Sequence, residues 1–271
     1  MAVIPFLYAS LWAQEKRNAE SLLMVRVGML PIILSAPHGG RAPIPDIAAR
    51  RGIGVPQFTA ERDSNTDELA EKIAMKMEEK LGARPFLVIA RFGRKYVDAN
   101  RAEDRAYESA EARPYYLAYH RALAQACDQV RRSWGRGWLL DIHGQAAESQ
   151  TIFRGTENGR STSALERLFG REAIAGRNSI LGQMAERGYK IVPPLASRAP
   201  ERRYSGGYTT QTYGSHRGTS IDAIQLELGT SLRSRANLER TAADLADAIV
   251  VFAREYLPAR SLGDTRPYPL P

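Results

Sequence analysis

The sequence predicts an α/β protein in which one mixed, mostly parallel sheet is flanked by helices. Its 271 residues are 44% hydrophobic and 25% charged, which is an ordinary globular composition at a length that one large domain can accommodate. Short, continuous apolar runs alternate along the chain with amphipathic segments of helical period. Because parallel strands are buried on both faces and are joined by helices, this alternation is typical of a parallel sheet.

Five apolar runs are the strand candidates. They are LPIILSA (30–36), RPFLVIARF (84–92), GWLLDIHG (137–144), AIQLELG (223–229) and the weaker YKIVPP (189–194). Each is too short for a typical helix and lacks the helical period, which favours a buried strand.

Helices are predicted between these runs. In the segment 63–82 apolar residues repeat every four positions, Ser64 or Asn65 suits the N-cap, and Gly82 suits the stop. Further amphipathic helices are expected at 115–134, 179–188 and 236–257. The stretch from about 145 to 177 has few period signals and is left without assigned elements.

The chain is expected to hold one catalytic domain at 30–260, preceded by a segment at 1–29 and followed by a tail at 261–271. No linker, repeat or low-complexity block supports a further division. Residues 1–14 are uncharged and mostly apolar, like the core of a secretory signal, but a basic region in front of them is missing. Export is therefore open, and a cytoplasmic location is slightly favoured.

Composition excludes several classes of protein. The net charge is +8, yet the arginines are scattered, so we expect no nucleic-acid partner. No apolar run reaches the roughly 18 residues of a membrane span, so we expect no membrane partner. The single cysteine, Cys127, rules out an intramolecular disulfide framework and a multi-cysteine metal site. The oligomeric state is left open.

Polar residues at the ends of the predicted strands indicate the chemistry. His38 and His143 each follow a buried run, in A-P-H-G-G and D-I-H-G, and Glu227 lies between leucines at the end of another. In open α/β sheets the active site lies beyond the carboxyl ends of the strands. Two imidazoles and one carboxylate form the ligand set of a catalytic zinc, with a fourth position for water.

Two residues near these strand ends keep alternative interpretations. Asp141 lies two residues before His143, so both side chains share a face, and Asp141 either orients the imidazole or contacts the metal directly. Glu227 is either a general base or one partner of a buried structural salt bridge.

Six short motifs in order carry a resemblance to a known family. They are P-H-G-G (37–40), E-R-D-S-N-T-D-E-L (61–69), V-D-A-N-R (97–101), L-D-I-H-G (140–144), G-G-Y-T-T-Q-T-Y-G (206–214) and I-Q-L-E-L (224–228). Together they resemble the N-formylglutamate amidohydrolase family, over about residues 30 to 235. That family is related in fold to the zinc carboxypeptidases and to the aspartoacylase and succinylglutamate desuccinylase enzymes, so the resemblance implies a zinc-carboxypeptidase-like fold.

The resemblance also implies a metal centre and a base. It implies one zinc ion per chain, held by His38, His143 and a carboxylate that we expect to be Asp63, with Glu61 as the alternative. In the same resemblance Glu227 corresponds to the general base.

A substrate site is implied as well. Asn100 and Arg101 resemble the Asn-Arg pair that grips a substrate carboxylate in the desuccinylase-type relatives, and further substrate-binding residues are expected at Arg203, Tyr208 and Tyr213. Family members often carry an arginine where this chain has Gln211, so the acyl group of the substrate is left open.

The function expected from these residues is hydrolysis of an amide bond in a small acidic substrate, such as an acyl-amino acid, in the manner of an N-formylglutamate deformylase. Water activated on zinc would attack the carbonyl while Glu227 acts as base. One alternative is a metallopeptidase-like hydrolase of peptide or γ-glutamyl substrates. Another is a metal-free anion-binding protein on the same fold.

Overall fold

A mixed sheet forms the centre of the protein. The computed structural model describes residues 17–257, so the signal-like stretch 1–14 and the tail 261–271 lie outside the described residues. The strands are β1 (Leu23–Arg26), β2 (Ile32–Ala36), β3 (Phe86–Ala90), β4 (Gly137–Gln145), β5 (Thr151–Gly155), β6 (Lys190–Val192) and β7 (Ile221–Gly229).

The seven strands lie in the order β1-β3-β2-β4-β7-β5-β6. Within the part of the chain that the structure describes, the pairs β3–β2, β2–β4, β4–β7 and β5–β6 are parallel, while β1–β3 and β5–β7 are antiparallel. The expected α/β fold, with a mixed and mostly parallel sheet flanked by helices, is therefore confirmed. The domain boundaries at 30 and 260 stay predictions.

Helices cover both faces of the sheet. They are α1 (Thr66–Leu81), α2 (Glu103–Ala106), α3 (Arg113–Trp134), α4 (Ser163–Phe169), α5 (Glu172–Ala175), α6 (Ile180–Glu186), α7 (Tyr208–Tyr213) and α8 (Leu238–Tyr256). The helices α1, α6 and α8 pack on one face, and α3 packs on the other. Among the described residues, none of these helices has the length and apolar character that a membrane crossing requires.

The predicted ends of the first helix are confirmed. Asn65 is the N-cap of α1 in the left-handed conformation, with φ of 66°, and Gly82 is its C-cap with φ of 64°. A left-handed residue just after the last turn favours glycine, because glycine has no Cβ to clash. The apolar face predicted from the four-residue repeat is buried at Leu69, Ile73 and Met77.

Two strands, β1 and β5, are not predicted from the sequence. β1 is a four-residue edge strand, half of which is exposed. β5 has the sequence TIFRG and lies in the stretch from about 145 to 177, where the sequence predicts no element. Its Arg154 is buried, and the guanidinium Nε donates to Glu201 Oε1 at 2.7 Å. A strand whose buried charge depends on a distant partner cannot be recognised from local hydrophobicity.

The sheet face beneath α3 changes character along the strands. Near their amino ends, Ile33, Leu139 and Ala223 join the apolar core that α3 covers. Two residues further along each strand, on the same face, the side chains are polar: Ser35, Asp141 and Gln225. The carboxyl half of this face is therefore a buried polar surface inside an otherwise apolar layer.

Candidate metal centre and active site

The register of the strands places the polar residues of the sheet face beneath α3 next to one another. Ser35 pairs with Asp141 across β2 and β4, and Ser35 Oγ donates to Asp141 Oδ1 at 2.6 Å. Across β4 and β7, Asp141 pairs with Gln225 and His143 pairs with Glu227. Since neighbouring strands are parallel and in register, their side chains project together at the carboxyl edge of the sheet.

Three buried side chains form a metal-ligating group. His38, just after β2, His143 near the end of β4, and Asp63, just before α1, each offer a ligand atom, and these atoms lie within 4.8 Å of one another. Asp63 Oδ2 lies 3.5 Å from His38 Nδ1 and 3.2 Å from His143 Nδ1. Zinc ligands at about 2 Å from a tetrahedral ion are separated by roughly 3.3 Å, so the spacing fits such an ion.

A carboxylate holds the far side of each imidazole. His38 Nε2 lies 2.6 Å from Asp98 Oδ1, and His143 Nε2 lies 2.9 Å from Asp141 Oδ2. Because an ionised carboxylate only accepts hydrogen bonds, each Nε2 carries a proton. In a neutral imidazole the Nδ1 lone pair is then free for a metal, which is the usual histidine–carboxylate arrangement behind a metal ligand.

When both imidazoles are neutral, the three inner atoms are all acceptors. His38 Nδ1 is buried without a hydrogen-bond partner, although Asp63 Oδ2 is its neighbour. Gly144 N–H is a donor to this carboxylate, at 3.0 Å from Asp63 Oδ2. An uncompensated cluster of lone pairs is costly to bury, and a divalent cation or protons must balance it. The residues present therefore fit a metal ion such as zinc.

The electrostatics of the site follow from this crowding. Burial alone would raise the pKa of Asp63, but the imidazoles of His143 and His38 beside it hold it well below its usual range. Burial alone would lower the pKa of His143, but the Asp141 carboxylate, aided by Asp63, raises it well above its usual range. The pocket thus strongly favours positive charge between these groups.

A third acid, Asp98, lies among arginines. Arg94 donates to Asp98 Oδ2 from Nε at 3.0 Å and from Nη2 at 2.9 Å, while Arg101 Nε lies 3.7 Å away and Arg50 Nη2 lies 4.0 Å away. Burial alone would raise the pKa of Asp98, but the charges of His38, Arg94 and Arg50 hold it well below its usual range. Asp98 therefore stays ionised behind His38.

Glu227 stands beside the metal-ligating group without belonging to it. It is 7% exposed, and Gln225 Nε2 donates to its Oε1 at 2.8 Å. Burial raises its pKa, although the nearby imidazole of His143 opposes the shift. A carboxylate with a raised pKa accepts and returns a proton near neutrality more readily than an ordinary one, which suits a general base.

The structure brings Asn100 into the same site. Asn100 Nδ2 donates to Gln225 Oε1 at 3.2 Å and lies 3.2 Å from His143 Nε2, while Thr209 N–H donates to Asn100 Oδ1 at 2.8 Å. Arg101 lies at the rim, with 28% of its side chain exposed, and donates to Gln57 O at 3.0 Å. The roles of both residues in substrate binding stay predictions.

The other three predicted substrate residues are more dispersed. Arg203 is exposed, and its guanidinium lies 5.8 Å from the ring of Tyr204. Tyr208 is half-buried at the start of α7, and its N–H donates to Asn100 O at 3.4 Å. Tyr213 is buried at the end of α7, where its hydroxyl bonds His120. None of the contacts found for these side chains involves the metal-ligating group, and their roles in substrate binding stay predictions.

The structure distinguishes between the alternatives that the sequence leaves open for the carboxylate ligand and for Asp141. Asp63 lies with the two imidazoles, whereas Glu61 is exposed. Asp141 lies behind His143 rather than with the three inner ligand atoms. The sequence predicts no role for three further residues of the site, namely Asp98, Arg94 and Gln225. Asp98 and Gln225 each lie two residues before an expected site residue, and that spacing was the available signal.

Part of the chain matches a known protein family. Residues 105–233 match the model of the N-formylglutamate amidohydrolase family. No curated protein matches the chain significantly.

Two solved structures share the fold. The N-formylglutamate amidohydrolase of Ralstonia eutropha JMP134 is 16% identical, with a TM-score of 0.59 over 86% of this chain and 98% of that one. A gene product of Agrobacterium tumefaciens is 14% identical, with a TM-score of 0.55 over 85% of this chain and 94% of that one. The family match indicates a hydrolase of an amide bond other than a standard peptide bond. The predicted resemblance to the N-formylglutamate amidohydrolase family is thus confirmed, in sequence over residues 105–233 and in fold over most of the described chain.

Proposed function

We propose that this protein is a zinc-dependent hydrolase of the amide bond in a small, acidic N-acyl amino acid. The observation that carries the proposal is the convergence of His38 Nδ1, His143 Nδ1 and Asp63 Oδ2, three buried atoms that each offer a lone pair to a metal when the imidazoles are neutral. Zinc bound by these atoms would polarise the scissile carbonyl and make a water molecule a competent nucleophile near neutral pH.

Glu227 is the proposed base. It takes a proton from the attacking water and returns it to the nitrogen of the leaving amine, so that the amide bond breaks without release of an amide anion. Its hydrogen bond from Gln225 leaves one carboxylate oxygen free for this transfer. Burial raises the pKa of Glu227 and so makes its protonated form, which the second step needs, easier to reach.

Positive charge around Asp98 supports an acidic substrate. Arg50, Arg94 and Arg101 each lie within 4.0 Å of this carboxylate. Arg101 is the most exposed of the three, and its guanidinium can pair with a substrate carboxylate in bidentate geometry. Asn100, fixed between β7 and α7, supplies an amide beside that charge.

The hydrolytic proposal is tested on purified protein by elemental analysis and by hydrolysis of N-formyl-L-glutamate in the same preparation. We expect about one zinc per chain and release of glutamate. Zinc without glutamate release would retain the metal hydrolase but exclude this substrate, and other N-acyl glutamates and γ-glutamyl peptides would be assayed next. Absence of metal after zinc has been supplied would contradict the proposal and favour a metal-free anion-binding protein.

The choice of carboxylate ligand gives a matched pair of variants. We expect Asp63→Asn to lose stoichiometric zinc, because a neutral amide cannot balance the ion, and Glu61→Gln to keep it, because Glu61 is exposed. Zinc content after dialysis decides between them. Retention of full zinc by Asp63→Asn would remove Asp63 from the site.

The base is tested by Glu227→Gln. This change keeps the size of the side chain but removes its ability to take a proton, so kcat should fall by about two orders of magnitude or more while zinc content is unchanged. Steady-state kinetics with parallel metal analysis checks both parts. Turnover within a fewfold of the wild-type rate would exclude Glu227 as the base.

Substrate charge is tested by Arg101→Ala. We expect KM for acidic N-acyl amino acids to rise by about tenfold or more, since a charge-assisted pair is lost, with little change for the corresponding uncharged amides. The exposed Arg105, which lies on α2, gives the control variant Arg105→Ala. An equal loss on charged and uncharged substrates would mean that Arg101 acts on the structure and not on substrate charge.

A further inference from the structure

His120 lies on α3, outside the metal-ligating group, yet it touches both segments that are expected to face the substrate. Its Nε2 lies 3.0 Å from the carbonyl oxygen of Ala99, the residue before Asn100. Its Nδ1 lies 3.0 Å from the hydroxyl of Tyr213, at the end of α7. Its ring meets the ring of Tyr208, at the start of α7, with centroids 5.4 Å apart.

The hydrogen bonds determine the tautomer of His120. A backbone carbonyl only accepts, so Nε2 carries the proton and donates to Ala99 O. Nδ1 is then an acceptor, and the Tyr213 hydroxyl beside it donates either to Nδ1 at 3.0 Å or to the His120 carbonyl oxygen at 3.1 Å. Burial lowers the pKa of His120 to about 4, so the ring is neutral and keeps this arrangement at neutral pH.

Asn100 itself is held between the sheet and α7. Its side chain donates to Gln225 on β7 and accepts from Thr209 N–H on α7. Gly207 packs so closely on the Asn100 amide that a Cβ at position 207 would collide with it. A small shift of either the Asn100 loop or α7 would therefore move the amide away from His143.

The geometry points to His120 as a positioning residue that locks the Asn100 loop to α7 and thereby fixes the substrate-facing amide. This inference rests on the proposed function, in which Asn100 contacts substrate. His120 does not touch the reacting atoms in this role. Its donor at Nε2 is the essential feature, because no aromatic or aliphatic side chain of similar size would satisfy the Ala99 carbonyl.

A simple packing role for His120 makes a different prediction. Its ring lies among tyrosines, with centroid distances of 4.4 Å to Tyr116 and 5.4 Å to Tyr119. If His120 only filled this space, any planar side chain of similar volume would replace it. The position of the donor would then have no effect on kinetics.

Two near-isosteric variants separate these roles. The amide nitrogen of glutamine reaches the position of Nε2, whereas asparagine reaches only the position of Nδ1. We expect His120→Gln to stay within about twofold of the wild-type KM for N-acyl glutamate, and His120→Asn and His120→Phe to raise KM by about three- to tenfold, the scale of one lost hydrogen bond. Zinc content should remain at about one per chain in all three, and kcat should change less than KM.

Amide hydrogen exchange supplies a readout that needs no activity. We expect faster exchange at 97–101 and 207–213 in His120→Asn than in His120→Gln, with α1 unchanged as an internal control. Equal KM values and equal exchange for the two variants would overturn the positioning role. If the wild-type protein hydrolyses no N-acyl amino acid, the proposed function fails, while the exchange comparison still decides whether His120 locks the two segments.

Discussion

The arrangement of the whole site depends on three acceptors that face one another in a buried space: His38 Nδ1, His143 Nδ1 and Asp63 Oδ2. Lone pairs this close repel, and burial removes the water that would screen them. The carboxylates of Asp98 and Asp141 increase this repulsion. They hold a proton on the outer nitrogen, Nε2, of each imidazole and so leave the Nδ1 lone pairs facing inward. Protons on the imidazoles or one bound cation would relieve this repulsion, and the outer carboxylates would stabilise either positive charge.

The sheet limits the energetic cost of burying these polar groups, because it restricts them to one part of one face. On the face beneath α3, apolar side chains such as Leu139 and Ala223 occupy the amino half of the strands and form part of a continuous core. The polar residues occupy the carboxyl half, where the loops after β2 and β3 bring in Asp63 and Asp98. The excess negative charge of the acids is then offset by arginines such as Arg94, which donates to Asp98 and lies 3.5 Å from Asp63.

Much of this could be predicted from the sequence, because the informative signals are local. A buried apolar run followed at once by a histidine or interrupted by a glutamate identified His38, His143 and Glu227, and the strand-end rule placed them together. The parts that could not be predicted depend on distant partners. β5 contains Arg154, which is acceptable in a buried strand only because Glu201, far along the chain, accepts from it. The link from His120 to the Asn100 loop is likewise a tertiary contact between residues with no local pattern.

The spacing of polar residues within the strands identifies the side chains that orient the functional groups. Asp141 precedes His143 by two positions, and Gln225 precedes Glu227 by two, so each pair shares a sheet face and the first residue hydrogen-bonds the second. Gln225 also accepts from Asn100, which links the proposed base to the substrate side through consecutive hydrogen bonds. A polar residue two positions before a strand-end histidine or glutamate is therefore informative in itself. That preceding residue hydrogen-bonds the functional group and fixes its orientation. A strand-end polar residue without such a partner is held less firmly in one geometry.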